Sequence, residues 1–376
     1  MDFAAEGLLE GIDDARERAE RVALLERLLA EGVTLDELRR AAAEDRLALL
    51  QVERMLGTEE FTPREVAQAA GVSLELVLLL RQALGLPRPG PDDRVLTASD
   101  VEAAARLKEF EAAGLPEEGI LEVARVLGEG LARVAATLRP LVRDAFLQPG
   151  IGERELSERY ATASAELGPQ LGVVMQHILN MHLRDQLRTD VVGRAELARG
   201  GVLGAVTMSI AFADLVGFTK LGERVAAEEL GAVARRLTEL AGEVAAARPP
   251  VRLVKTIGDA AMLVSPDPDA LLETSLELVG AAEAEGEEFP SLRAGLATGQ
   301  VLGRAGDWYG SPVNIASRIT GIARPGTVVA AGATREAVEA QASADHWQWS
   351  PLPNRRLRGV DHPVPLFRVR AIAADR

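Results

Sequence analysis

The chain has 376 residues, about twice the usual span of one domain, which predicts two. Its 42 Lys and Arg against 57 Asp and Glu give a formal net charge of −15, and it has no cysteine. That excludes a disulfide framework, a thiol nucleophile and any Cys-based metal centre.

The acidity is uneven. Residues 1–200 hold 24 basic and 36 acidic side chains, whereas residues 201–376 hold 18 and 21. An acidic first half repels phosphate backbones and argues against a nucleic-acid partner there. No apolar run approaches the ~20 residues that span a bilayer, and Met1-Asp2-Phe3 opens nothing like a signal peptide. The expectation is a soluble, cytoplasmic protein. Only three of the basic residues are lysine: Lys108, Lys220 and Lys255.

In chain order, residues 1–190 read as helices throughout. Leu8, Leu9 and Ile12 share a face, and Val22, Leu25, Leu28 and Leu29 continue a stripe up to Gly32. Thr34 and Glu37 have capping-box spacing, while Thr62-Pro63 and Thr97-Ala98-Ser99-Asp100 are further helix starts. The triple-proline stretch Leu84–Pro91 is a loop. Periodic segments follow over about 117–147 and 152–190.

After Gly200-Gly201 the pattern changes. Strands are expected over 206–213, 251–257, 261–265 and 292–302, and helices over 269–285 and 312–322. Leu230, Val233, Leu237, Leu240 and Val244 mark an amphipathic helix between the first two strands. The order strand–helix–strand–strand–helix–strand is that of a ferredoxin-like βαββαβ core. The fold class is therefore α+β. The domains are a helical region 1–190, a linker 191–205 and an α/β domain 206–376.

Three segments carry the chemistry. In Ser209–Thr219 an apolar strand ends at Asp214 and a glycine turn leads to a helix start. A carboxylate beside free N–H groups suits a metal ion and its phosphates, although an Asp serving only as a turn or cap residue fits equally. In Val251–Val264 two apolar runs meet at Gly258-Asp259, a hairpin signal whose tip is commonly just solvated. Lys255 stands out there, because a chain that otherwise prefers Arg has placed a compact single-point donor on a strand. In Gly303–Arg318, Ser311-Pro312 starts a helix on which Asn314 and Arg318 share a face. An amide and a guanidinium suit a sugar hydroxyl and a developing phosphate charge, and a solvated polar face is the alternative.

Together the three segments resemble the catalytic domain of class III nucleotidyl cyclases over roughly residues 205–370. The resemblance implies conversion of ATP to 3′,5′-cyclic AMP and pyrophosphate at a homodimer interface. Asp214 and Asp259 would hold two divalent metal ions, Mg²⁺ or Mn²⁺, with Leu215 added to the metal set. Lys255 would donate to adenine N1 and Asp307 accept from the 6-amino group. Asn314 would orient the ribose and Arg318 would stabilise the charge at the α-phosphate. Phe218 and Thr219 join the substrate-binding set. The late phosphate-binding lysine of such enzymes is absent, and Arg358 in Arg355-Arg356-Leu357-Arg358-Gly359 stands in its region. Guanylyl or relaxed base choice is one competing reading; a catalytically silent signalling or DNA-binding protein is another.

Residues 61–86 look like a MerR-type helix-turn-helix. Residues 59–120 nevertheless hold six basic and twelve acidic side chains, which disfavours DNA. The arrangement of helical domain, linker and cyclase resembles the soluble, pH-responsive class III adenylyl cyclases. In those the first domain dimerises and inhibits the catalytic pair. His177 and His182 lie just before the linker, where protonation could bias a helix rearrangement, or where packing could simply satisfy them. The effector of this domain stays open between a small molecule such as a lipid, a proton and a partner.

Overall fold

A computed structural model describes residues 1–146, 150–197, 205–341, 346–360 and 362–372. The chain divides into two compact units, Met1–Gln186 and Leu187–Arg376.

In the first unit, residues 3–11 form turns rather than the expected opening helix, and the chain becomes helical at α1 (Ala15–Ala30). Leu8 and Leu9 are still buried, because the turns lay them over Leu24, Leu25 and Leu28 of α1 and Leu38 of α2 (Leu35–Ala43). The capping box that starts α2 forms as its spacing predicts. The Thr34 N–H donates to Glu37 Oε2 at 2.7 Å, and the Glu37 N–H donates to Thr34 Oγ1 at 3.3 Å. A 3₁₀ turn at Leu47–Leu49 leads into α3 (Leu50–Leu56).

Next, α4 (Pro63–Ala70) and α5 (Leu74–Ala83) turn through 112°. Gly71 lies at φ 68° between them, in the left-handed region that a residue without Cβ enters freely. Helix α6 (Ala98–Ala112) packs back on α4 through Val66, Ala70 and Ala104. Then come α7 (Glu117–Phe146) and α8 (Glu153–Leu197). The start of α8 is fastened to α1 by the pairs Arg21–Glu153, Glu20–Arg154 and Arg27–Glu158. Helix α8 continues to Leu197, into the segment 191–205 expected as linker. Residues 198–204 of that segment lie outside the described residues. No single helix among the described residues is long and apolar enough to cross a membrane.

The second unit runs β1 (Ala205–Leu215), α9 (Phe218–Leu221), α10 (Ala227–Ala247), β2 (Arg252–Ile257), β3 (Ala260–Ser265), α11 (Pro268–Ala284), β4 (Leu292–Arg304), β5 (Asp307–Tyr309), α12 (Ser311–Ile322), β6 (Val328–Ala331), α13 (Gly332–Glu339), β7 (Trp347–Arg355) and β8 (Val364–Ala371). The sheet order is β2-β3-β1-β4-β6-β8-β7, with β5 off this path and paired to β4. Its first four strands, with α10 and α11, are the expected βαββαβ core. Strands β5 to β8 and helix α13 enlarge it.

Alternation along β1 splits the burial between two faces. Ala211, Ala213 and Leu215 meet α10 and α11 through Leu237, Leu240, Leu271 and Leu278. Met208 and Ile210 meet α12 through Ala316 and Ile319. Helix α12 lies unusually close to β4. A Cβ on Gly295 would stand 2.4 Å from the Thr320 nitrogen, so only glycine admits the helix there. That helix begins one residue earlier than its Ser-Pro signal suggests, with Gly310 at the cap position and Ser311 already inside.

Candidate active site

Asp214 and Asp259 are brought together by the β1–β3 pairing. Asp214 stands opposite Ala260, the residue that opens β3 after the Gly258 turn, and the Leu215 N–H donates to the Asp259 carbonyl at 3.0 Å. Burial pushes the Asp259 carboxyl above the ordinary carboxylate range. A hydrogen bond from its own backbone opposes this, the Asp214 charge adds to it, and Arg293 offsets part of it.

Arg293 is a residue the motif reading did not reach. It sits opposite Asp214 in the β1–β4 register and donates to Asp214 Oδ2 from Nε at 3.1 Å and from Nη2 at 2.7 Å. Its Nη1 donates to the Gly321 carbonyl of α12 at 3.0 Å. The signal available in the sequence was an arginine inside the otherwise apolar run Leu292–Leu296.

Two adjacent carboxylates, one with raised proton affinity, form an all-oxygen donor set that suits a hard divalent cation. Among the described residues no cluster of three or more His, Cys, Asp or Glu could hold a metal. The Leu215 carbonyl follows Asp214 directly along β1 and adds a main-chain oxygen to the neighbourhood. The side chains present fit the expected ions.

The second pair lies on β2 and β5. Lys255 Nζ donates to Asp307 Oδ2, joining residues 52 positions apart. Asp307 Oδ1 accepts the Trp308 N–H at 2.9 Å. Together the pair presents one donor and one acceptor side by side. On α12, Asn314 and Arg318 are both exposed and four residues apart, with buried Ala316 and Ile319 on the opposite side of the helix. Among the described residues neither hydrogen-bonds to the two pairs. Phe218 packs its ring on the core beneath α9, and Thr219 is exposed. Gly217, at φ 78°, turns the chain into that single helical turn. Arg358 is exposed in the β7–β8 connection, held by a turn in which the Val360 N–H donates to the Leu357 carbonyl at 3.0 Å. His177 and His182 are exposed on α8 beside Val174 and Ile178, so packing within one chain does not bury them.

Two family descriptions match in tandem. One is the adenylate cyclase regulatory domain, over residues 1–187; the other is the adenylate and guanylate cyclase catalytic domain, over residues 204–355. A pH-sensitive adenylate cyclase of Mycobacterium tuberculosis is 45% identical over 357 residues, covering 94% of this chain and 88% of the relative. An adenylate cyclase of Streptomyces coelicolor is 35% identical over 285 residues, covering 74% and 72%. The crystal structure of the adenylyl cyclase CyaB from P. aeruginosa is 20% identical, covers 46% of this chain and 96% of its own, and has a TM-score of 0.40. The chain belongs to the class III adenylate cyclases in which a regulatory domain precedes the catalytic domain.

Proposed function

We propose that the chain converts ATP to cyclic AMP and pyrophosphate in a site completed by a second copy of itself. The Lys255–Asp307 pair carries this reading. Adenine offers an acceptor at N1 and a donor at its 6-amino group, the complement of an ammonium next to a carboxylate. Guanine reverses both positions.

In this scheme Asn314 holds the ribose so that its 3′-oxygen faces the α-phosphate. As that oxygen gives its proton to solvent and bonds to the α-phosphorus, the bond to pyrophosphate breaks, and Arg318 meets the charge that develops on the phosphoryl oxygens. Asp214, Asp259 and the Leu215 carbonyl would hold two divalent ions. When bound, these would lower the pKa of the attacking hydroxyl and neutralise the departing phosphates. Arg293 keeps Asp214 oriented, and its guanidinium limits the repulsion between the two carboxylates. Phe218 and Thr219 line the turn next to the metal carboxylates, and Arg358 offers a fork to the phosphates.

Dimerisation draws support from what one chain leaves uncovered. Asn314 and Arg318 are exposed, and Ile257, Leu302 and Tyr309 beside the base-reading pair are 55%, 43% and 53% exposed. The first unit would regulate the second. The pH-sensitive relative points to protons as the signal, and the exposed His177 and His182 on α8 are the residues assigned to receive it.

The test is cyclic nucleotide formation by the purified full chain with Mn²⁺, on ATP and GTP separately, from pH 5.5 to 8. ATP turnover well above GTP turnover, with a pH profile altered in the double His→Ala variant, is expected. Equal use of both nucleotides would sink the base assignment. An unchanged profile would sink the histidine switch.

A further inference from the structure

The short strand that presents Asp307 is tied to β2 by the Lys255–Asp307 pair and packs into a buried cluster through Trp308. Strand β5 has three residues and pairs with β4 through Leu302–Tyr309, Gly303–Trp308 and Arg304–Asp307. Of the three β5 side chains, Tyr309 is exposed, Asp307 is polar, and only Trp308 packs into the cluster built on Met208, Ile210 and Val301.

Trp308 is seated on a glycine. A Cβ at Gly303 would stand 3.3 Å from the Cζ3 atom of its indole and 3.5 Å from Cη2, so the ring lies against the bare backbone of its cross-strand partner. An aromatic ring over a strand glycine is a recognised way of pinning register. The same residue's N–H donates to Asp307 Oδ1, leaving Oδ2 for Lys255.

We propose that Trp308, seated on Gly303, is a positioning residue that sets base preference by holding the Asp307 carboxylate in one orientation. The inference rests on the reading of Asp307 as the acceptor for the adenine amino group. A fixed carboxylate attracts that amino group and repels the carbonyl oxygen that guanine places there. A carboxylate free to turn away loses both effects. Displacing the indole therefore admits GTP more than it penalises turnover of ATP. Trp308 touches no substrate atom through its ring in this account and acts only through Asp307.

The experiment is kcat/KM for ATP and for GTP in the full-length chain with Mn²⁺, for wild type, Trp308→Ala, Trp308→Phe, Gly303→Val and Asp307→Ala. The ATP-over-GTP ratio is expected to fall roughly tenfold or more in Trp308→Ala and Gly303→Val. Trp308→Phe, which keeps a flat ring, should retain most of it. If both disruptive variants lower kcat on the two nucleotides by the same factor, leaving the ratio unchanged, Trp308 is a structural anchor only and the proposal is overturned. Should Trp308→Ala be recovered unfolded, Gly303→Val and Trp308→Leu decide the matter by the same ratio. An unchanged ratio in Asp307→Ala would instead locate the failure in the base-reading assignment itself.

Discussion

Asp214 and Asp259 place like charges at one end of the sheet, and Arg293 is the cation within the chain that compensates them. Replacing Arg293 by Ala should lower the Tm of the metal-free protein, by about 1–3 kcal/mol of stability, because it strands a partly buried carboxylate. Adding Mn²⁺ should recover part of that loss. The raised pKa of Asp259 has a definite consequence for pH. Its protonated form is favoured in the folded state, so that contribution is fully present below the ordinary carboxylate pKa and is lost as pH rises through the elevated one. Asp259→Asn should therefore raise metal-free Tm at neutral pH and remove that pH dependence, while cyclic AMP formation collapses. Arg318→Ala should cost kcat on the order of 10²–10³-fold with a smaller change in KM, as expected of a group whose main partner is transition-state charge. The residue types at these positions were readable from local sequence, because an Asp closing an apolar strand and a lone Lys among arginines are local signals. Arg293 was not, since its meaning comes from a register across β1 and β4 that no neighbouring residue announces.

At the level of elements, α12 shows how backbone proximity serves the site. Gly295 lets α12 approach β4, and the Thr320 hydroxyl bonds the Phe212 carbonyl of β1 at 3.1 Å, which fixes the helix that presents Asn314 and Arg318. Gly295→Ala should destabilise the fold by about 1–3 kcal/mol and reduce turnover as well, measurable by chemical denaturation alongside the cyclase assay. Ala305, at φ 53° in the β4–β5 turn, is the opposite case. Relieving it with Ala305→Gly should stabilise the chain by about 1 kcal/mol. In the first unit, Thr34→Ala should cost about 1 kcal/mol through the lost cap of α2. Burial raises the pKa of Glu37, but hydrogen bonds from the Thr34 hydroxyl and backbone, with the Arg54 charge, bring it below the usual range. Its support for α2 is thus present above the ordinary carboxylate pKa and fades as pH falls through the lowered value. These caps and the α10 stripe were legible because they are contained within one or two turns. Strand β7 was not, since Pro351 and Pro353 argue against a strand, and only its place at the sheet edge makes them tolerable. The opening Leu8-Leu9 pair misled in the other direction: it is buried, but by turns lying over α1 rather than by a helix of its own.

At the scale of the whole molecule, two units with separate cores share one continuous chain. Each is matched by its own family description, and the acidic excess belongs to the first. Since residues 205–372 contain their own sheet and cores, a fragment beginning near residue 201 should fold and form cyclic AMP. If the first unit inhibits, that fragment should exceed the full chain near neutral pH and lose the full chain's pH response. A fragment no more active than the full chain at any pH would remove inhibition from the account. The sequence by itself determined the class of each unit, the βαββαβ order and the residue types of the site, because periodicity, caps and motif residues are properties of short segments. Only the tertiary structure decided that Lys255 meets Asp307, that Arg293 clamps Asp214, and that Trp308 rests on Gly303. The first two join strands 52 and 79 residues apart, the third depends on the register of the β4–β5 hairpin, and strand register is set by the packing of the sheet rather than by neighbouring residues.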